Sequence, residues 1–508
     1  MANLTKGALT RRSVLRRITV GAAVVGWSTA AGSWAVAGAD PNGVVRLPRL
    51  DGTLETSPEV VGRFATDFGQ VVTGTPKAVL RPGSVGDIIA MVRYARVNGL
   101  TIAMNGQSGG SADHLESHSN YGQAAVPGGI SIDARGLSTI HSIGVDSALV
   151  DAGVTWAQLM NATLPNGKMP PAHTDYQHLS VGGTISVGGV GGQVQKYGLQ
   201  ADTVSEIEIV TGRGYLVRAS ATEHPDLFHA ALAGGGQVGI ITKARVKLVP
   251  APPRVATFAL YYNDLRTFLA DQDRIMRDGR FDFQAGGPVR TADDTGWRYL
   301  LDAVAYYDGD TPPDRAALLA GLNDDRVAAT FDDLSIRDWV FRLDPLEAWM
   351  QENGYWEQPH PWLSLVLPAS TVVEFTEKVM PELTAADLGV GFAGLYPIPT
   401  ARLTRPLFRV PDEPVVYLFD LLRFPHPGDQ GTARMLEQNR RYYDLAVMLG
   451  GTRYLVGAIP DMTKRDWRGH FGADWWRLVA AKHRYDPDHV LTPGQGFFGQ
   501  RRTSGGTP

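Results

Sequence analysis

The chain has 508 residues, 44% apolar and 20% charged, with a formal net charge of −4; this is more than one hydrophobic core organises, so at least two domains or one composite pair are expected, and no polyanion-binding surface is implied, which argues against nucleic acid as a partner. There is no cysteine, which excludes disulfides, thiolate metal ligands and cysteine nucleophiles together. The 58 glycines are clustered rather than periodic, as tight turns and close backbone approach to a ligand require.

Taken in chain order, residues 1–39 read as an address. Thr10-Arg11-Arg12-Ser13-Val14-Leu15 resembles the twin-arginine export motif, and Ile18 to Ala37 is a Gly/Ala-rich apolar stretch ending Ala35-Val36-Ala37. The segment is too rich in small residues for a stable membrane span, so a removable leader and export are expected. Val79-Leu80 reads as a strand, Pro82-Gly83-Ser84 as a turn, Ile88, Ile89, Val92 and Ala95 as one helix face, and Leu100 to Met104 as a second strand. The run from Asp175 carries paired glycines at 182–183, 188–189 and 191–192; these could leave backbone N–H groups open as an anion nest for a diphosphate or form a glycine-rich turn without ligand, and spacing does not choose. No Gly-x-Gly-x-x-Gly opens a helix after a strand, which disfavours NAD.

Glu206 to Val210 and Tyr215 to Arg218 flank Thr211-Gly212-Arg213-Gly214 as a hairpin. The proline-rich Val249 to Pro253 is a domain boundary. Beyond it, strands are expected at Thr257 to Tyr262 and Trp362 to Leu367, and helices at Leu265 to Met276 and Ala433 to Leu449. The aromatic pairs Tyr355-Trp356 and Trp475-Trp476 read as packing. His173, His178, His224 and His229 lack metal-ligand spacing, so no metal is expected.

Four blocks then stand in order: Ser117-His118-Ser119-Asn120-Tyr121-Gly122-Gln123, Thr174-Asp175-Tyr176, His360-Pro361-Trp362-Leu363-Ser364-Leu365, and Leu491-Thr492-Pro493-Gly494-Gln495. Together they resemble the cytokinin dehydrogenases over about residues 60 to 498, within the vanillyl alcohol oxidase and p-cresol methylhydroxylase superfamily. That resemblance implies an α+β fold, with a PCMH-type FAD-binding domain at 40–253, an α+β substrate domain at 254–449, and 450–508 returning to the FAD domain. It implies FAD as cofactor, covalently held through His118; the absence of cysteine leaves only a histidyl or tyrosyl link. Ser119 and Gln123 would lie beside the flavin, with Asn105, Gly106, Gln107 and Asp175 also on the cofactor. Ser180, Ser186, Val190 and Ile241 would line it, as would Thr492 and Gln495.

Asp175 would be the catalytic base, accepting the substrate N–H proton as hydride passes to the flavin from a carbon next to nitrogen; a carboxylate in a dry apolar cavity is a usable base. The implied partners are a small organic substrate and an electron acceptor, oxygen or a quinone. An alcohol or sugar oxidase on the same scaffold is the alternative chemistry, and a flavin- or ligand-binding protein without catalysis is the alternative of another class. Three departures from the family pattern bear on the site. An insertion separates Asn105-Gly106-Gln107 from His118 and offers His114 as a second attachment candidate. Ala285 stands where the family often carries a substrate-facing glutamate, so a polar contact is expected to be lost. No tyrosine falls at the flavin-proximal position near Val456, although Tyr454 is close.

Overall fold

The computed structural model describes residues 24–28, 33–36, 44–107, 109, 117–291, 293 and 296–499. The Arg11-Arg12 motif and His114 lie outside them. The chain divides into two compact units, 1–48 and 49–508. Within the first, Val24–Ser28 pairs antiparallel with Ser33–Val36 on one side and Val44–Arg46 on the other, so the apolar stretch of the expected leader carries paired strands where it is described.

The second unit starts with a four-stranded sheet in the order Thr53–Glu55, Ala78–Arg81, Ile130–Asp133, Ile102–Asn105. The strand, turn and helix expected after residue 78 are present, the helix being Val85–Val97. Asp87 fixes the turn: its carboxylate accepts the backbone N–H groups of Asp51, Gly52 and Gly83, each at 2.8 Å. A five-stranded sheet follows, Leu216–Ser220, Val204–Thr211, Gly239–Lys247, Ser147–Asp151, Ile140–Ile143, and it contains the expected hairpin.

Two further four-stranded antiparallel sheets carry the second half. One runs Phe283–Arg290, Trp297–Tyr307, Arg254–Tyr262, Thr330–Ser335; the other runs Phe392–Pro399, Val415–Leu422, Leu363–Pro368, Thr452–Gly457. Their edge strands Phe283–Arg290 and Phe392–Pro399 lie side by side, close enough that a Cβ at Gly287 would stand 2.3 Å from the Ala393 carbonyl oxygen. The two sheets therefore read as one surface, and the period-2 alternation of strands gives it two faces. Leu301, Ala303, Leu365, Leu395, Phe419 and Leu421 pack with Phe268 and Phe375 of the helices Leu265–Asp278 and Val372–Val379. Phe283, Ala285, Val304, Tyr396 and Leu418 point the other way, into the core that contains Val181 and Ile185.

The expected packing role of the tryptophan pair divides. Trp475 is buried, whereas Trp476 is 60% exposed and lies beside the Arg468 guanidinium.

Candidate active site

The glycine run divides between a helix and the loop after it: the pair at 182–183 is helical, while 188–189 and 191–192 lie in loop and turn. Gly182 and Gly183 occupy the first turn of the helix Val181–Val187, where a Cβ at Gly182 would stand 2.7 Å from the Ala152 methyl. Farther on, a Cβ at Gly192 would meet the Phe283 ring at 2.3 Å. These glycines allow close backbone packing onto the sheets.

The same helix nevertheless positions a polar group at the site. Ser180 is its N-cap, yet its hydroxyl makes no capping hydrogen bond. N-cap serines ordinarily accept from the helix N–H groups. Here Oγ lies beside Gly106, at the end of the strand Ile102–Asn105, where a Cβ would be only 2.7 Å away. Asn105 is buried next to it and Gln107 is partly exposed.

The loop after the insertion is built as a unit. Gln123 Oε1 accepts from the backbone N–H groups of Asn120 (2.9 Å) and Tyr121 (2.8 Å), and its Nε2 donates to the Gly457 carbonyl at 3.1 Å. The Ser119 hydroxyl donates to Asp67 Oδ2 at 2.6 Å, and Gly122 N–H donates to the same oxygen at 2.7 Å. Both side chains thus hold the loop in shape. Burial pushes the Asp67 carboxyl up to about 7, against the pull of those two hydrogen bonds.

The His118 ring stacks on Phe68 with centroids 4.0 Å apart and on Tyr176 at 5.4 Å. Phe68 is itself enclosed by Trp356, Trp362 and Phe424. His118 and the Asp175-Tyr176 pair, distant in sequence, are therefore neighbours through one ring contact.

Thr492 and Gln495 come from the tail. Thr492 Oγ1 donates to the Gly236 carbonyl at 3.1 Å, and Gln237 Nε2 donates to the Thr492 carbonyl at 3.0 Å. Gln495 is buried, and a Cβ at Gly494 would meet the Gly122 carbonyl at 2.0 Å, which sets the tail against the His118 loop. Ser186 turns its hydroxyl back to the Gly182 carbonyl at 2.7 Å; its own carbonyl accepts from Gly235 N–H. Val190 and Ile241 are buried in the apolar core around the Val181–Val187 helix.

Asp175 does not stand alone in an apolar cavity. It is half-buried, and Arg342 Nη2 donates to its Oδ1 at 2.6 Å. Arg342 follows the short helix Ile336–Val340, and its guanidinium lies over the Trp339 ring at 4.8 Å. His173, two residues before Asp175, is buried and pushed down to about 4 by burial, helped by Arg342.

Two carboxylates on the facing sheet surface were not singled out by sequence. Asp302 stands directly opposite Ala285 on the neighbouring strand, so the polar contact expected to be lost at 285 has a carboxylate beside it. Asp420 stands opposite both Ser364 and Gly394. Burial, with a smaller push from the charge of Asp175, holds Asp302 up at about 6 against the pull of Arg342 and Asp420 up at about 7 against a Ser364 hydrogen bond. Tyr454 adds its hydroxyl, which accepts from Gly189 N–H at 3.2 Å.

A metal was not expected. Among the described residues His178, Asp344 and Glu347 bring ligand atoms within 4.8 Å of one another. They also bond within the protein: His178 Nε2 bonds Asp344 Oδ1 at 3.1 Å, and Glu347 accepts from the Tyr176 hydroxyl (2.7 Å) and Gln351 (2.9 Å). The spacing escaped the sequence because Asp344 and Glu347 come from a distant helix.

A family model described as an FAD binding domain matches residues 76–220, and one described as cytokinin dehydrogenase 1, FAD and cytokinin binding, matches residues 288–498. The protein named "Uncharacterized oxidoreductase ORF5 in fasciation locus" of Rhodococcoides fascians is 37% identical over 446 residues, covering 88% of this chain and 99% of its own. Cytokinin dehydrogenase 4 of Oryza sativa subsp. japonica is 34% identical over 494 residues, covering 89% and 90%. Cytokinin dehydrogenase 5 of the same organism is 32% identical over 499 residues, covering 88% and 91%.

The cofactor is FAD, and the residues fit it. The space that a Cβ at Gly106 would fill lies against the uncapped Ser180 hydroxyl, and Gly236 leaves a similar opening 3.0 Å from Thr492 Oγ1. Both amide atoms of fully buried Asn120, in the loop beside them, lack a hydrogen-bond partner. Likeness over nearly the whole chain, with FAD-binding and substrate-binding parts in the order the fold presents them, makes this protein an FAD-linked oxidoreductase that belongs to the cytokinin dehydrogenase family.

Proposed function

We propose that the protein oxidises a small organic amine at a carbon bonded to nitrogen, with Asp175 as acceptor and base for the substrate N–H. The observation that carries this reading is the placement of Asp175. Its neighbour Tyr176 stacks on His118, while Arg342 holds Oδ1 and leaves Oδ2 for a donor. When bound, FAD supplies the two-electron acceptor that takes up hydrogen as hydride.

Asp175 Oδ2 would receive the hydrogen bond of the substrate N–H, orient the nitrogen lone pair toward the C–H that breaks, and take the proton as the imine forms. Arg342 fixes the rotamer of that carboxylate, and Trp339 fixes Arg342 in turn. An alcohol must give up a weakly acidic O–H proton, which asks for a strong base, whereas an amine N–H becomes acidic as the C–H hydride leaves, so a carboxylate is base enough. That difference favours the amine over the alcohol or sugar alternative.

His118, held between Phe68 and Tyr176, supports covalent attachment of the flavin at that ring. The Arg11-Arg12 leader motif supports export by the twin-arginine route, with oxygen or a quinone as the final acceptor.

Anaerobic bleaching of bound flavin by a panel of secondary amines and matched alcohols tests the reading. Amines should bleach it and Asp175→Asn should slow them about 10²-fold or more. Equal bleaching by the alcohols, or an Asp175→Asn variant as fast as the parent, would sink it.

A further inference from the structure

The sheet surface opposite Asp175 carries more acid than its surroundings compensate. Asp302, Gly394, Asp420 and Ser364 share the parity of the core-facing residues Val304, Tyr396, Leu418 and Val366 on their strands, so their side chains project to the FAD side of the surface. Between the two aspartates the floor is paved with Ala285 and Gly394, which fill little space. Both carboxylates are enclosed among protein atoms, although each residue keeps some accessible surface. Asp420 Oδ1 is buried and has no hydrogen-bond partner.

The groups facing this pair can be named. Asp302 feels the charges of Arg342 and Asp175; Asp420 has the Ser364 hydroxyl as a hydrogen-bond partner and feels the charge of Asp175, with the hydroxyls of Tyr396 and Tyr454 nearby. Arg342 is the cation among them, and it is already bonded to Asp175. His173, at about 4, adds no charge at neutral pH. Three carboxylates thus share one guanidinium. A buried carboxylate without a counterion keeps its proton, and it gives that proton up when a cation is supplied.

We propose, building on the amine reading, that Asp302 and Asp420 are specificity residues that select an amine carrying a second, cationic nitrogen away from the oxidised C–N bond, a diamine rather than a neutral aromatic amine. The remote ammonium takes the place of the missing counterion, with Asp420 Oδ1 as one acceptor. Asp175 serves the reacting nitrogen and the aspartate pair serves the remote one. Binding then re-ionises Asp302 and Asp420 and releases protons to the buffer.

The probes are N-(3-aminopropyl)benzylamine and N-(3-hydroxypropyl)benzylamine, which differ only in the terminal group. The holoenzyme should oxidise the diamine with a kcat/KM about tenfold or more above that of the hydroxyl compound at neutral pH, a ratio that falls as pH drops through about 6. Calorimetry in two buffers of different ionisation enthalpy should show more protons released with the diamine than with the hydroxyl probe, whose reacting ammonium must also shed one. Asp420→Asn and Asp302→Asn should each lower the ratio, and the double variant should bring it to near one; bound flavin per chain reports that each variant has folded. A preference that survives the double variant, equal kcat/KM for the two probes, or no more proton release with the diamine than with the hydroxyl probe in the wild-type protein would each overturn the proposal while leaving amine oxidation standing. Failure of both amines to bleach a flavin that alcohols do bleach would overturn the amine reading as well, and is told apart by that alcohol response.

Discussion

The ion pair Lys482–Asp486 lies one helical turn apart in and just after the helix Trp475–Tyr485, and its side chains are 1% and 0% exposed. Nζ donates to Asp486 Oδ2 at 2.7 Å and to the Gln237 carbonyl at 2.8 Å; Asp486 accepts from the N–H groups of Val490 and Leu491, each at 3.0 Å. The pair thus ties the tail that carries Thr492 to the loop that carries Gly236. Burial pushes the Lys482 ammonium down, and Asp486 pulls it back up. Replacing one member leaves the other charge buried without its counterion, a cost of about 3–5 kcal/mol. Lys482→Met and Asp486→Asn should each lose that much stability. The double variant should lose less than their sum by about 1–3 kcal/mol, because no lone charge then remains. Thermal unfolding followed by far-UV circular dichroism measures the cycle, and flavin fluorescence reports the site. In the single variants the flavin signal should rise before secondary structure is lost, since Thr492 and Gly236 part first. Single variants within about 0.5 kcal/mol of wild type, or strictly additive losses, would refute the reasoning.

Three shorter predictions concern the site. Asp175→Asn should retain bound flavin while kcat with amines falls about 10²- to 10⁴-fold, read by anaerobic flavin reduction in single turnover. His118→Ala should release its yellow colour to the supernatant on acid precipitation, with the parent's colour staying in the pellet. Asp67, raised by burial from 3.8 to about 7, binds its proton more tightly folded than unfolded. Its contribution therefore falls as pH rises through that window, by about 4 kcal/mol in all. Asp67→Asn should gain stability relative to wild type between pH 4 and 7, measured as the difference between their unfolding free energies at the two ends; a pH-independent difference would show that the carboxyl is not raised.

Much of the framework was legible because local signals and tertiary packing agree. The turn at Pro82, the hairpin about Gly212 and the helix from Leu265 all lie within a few residues of expectation. The glycine run was harder to read, since glycine serves anion capture and close packing equally well and only the neighbours decide; Ala152 and Phe283 are invisible at residues 182–192. Arg342 was missed because a guanidinium in a polar turn carries no periodic signal, and its partner Asp175 is 167 residues away. Asp302 and Asp420 did leave a mark. Each is an acid with apolar neighbours on both sides inside a strand, LLDAV of WRYLLDAVAYY and LFDLL of VVYLFDLL. A charge at a core-facing strand position is costly unless something compensates it, so it points to a site.

The alanine at 285 has a different meaning in three dimensions from its meaning in sequence. Read along the chain, a glutamate is replaced by a methyl group and polarity disappears. Read across the sheet, Asp302 is the residue directly opposite, projecting from the same face, so acidity is present one strand over. The change matters for reach as well as charge. Cross-strand partners sit about 5 Å apart, and aspartate is one methylene shorter than glutamate, so the acid retreats from the position above 285 and opens the floor there. Gly394 repeats the pattern at the adjoining sheet edge, with Asp420 as its opposite partner. Two small residues at the seam, each with an acid on the next strand outward, leave a surface lower at its centre and more acidic at its sides than one glutamate at the centre would give. A flat neutral ring gains little from acids set apart in this way. A flexible chain ending in an ammonium group can reach either of them.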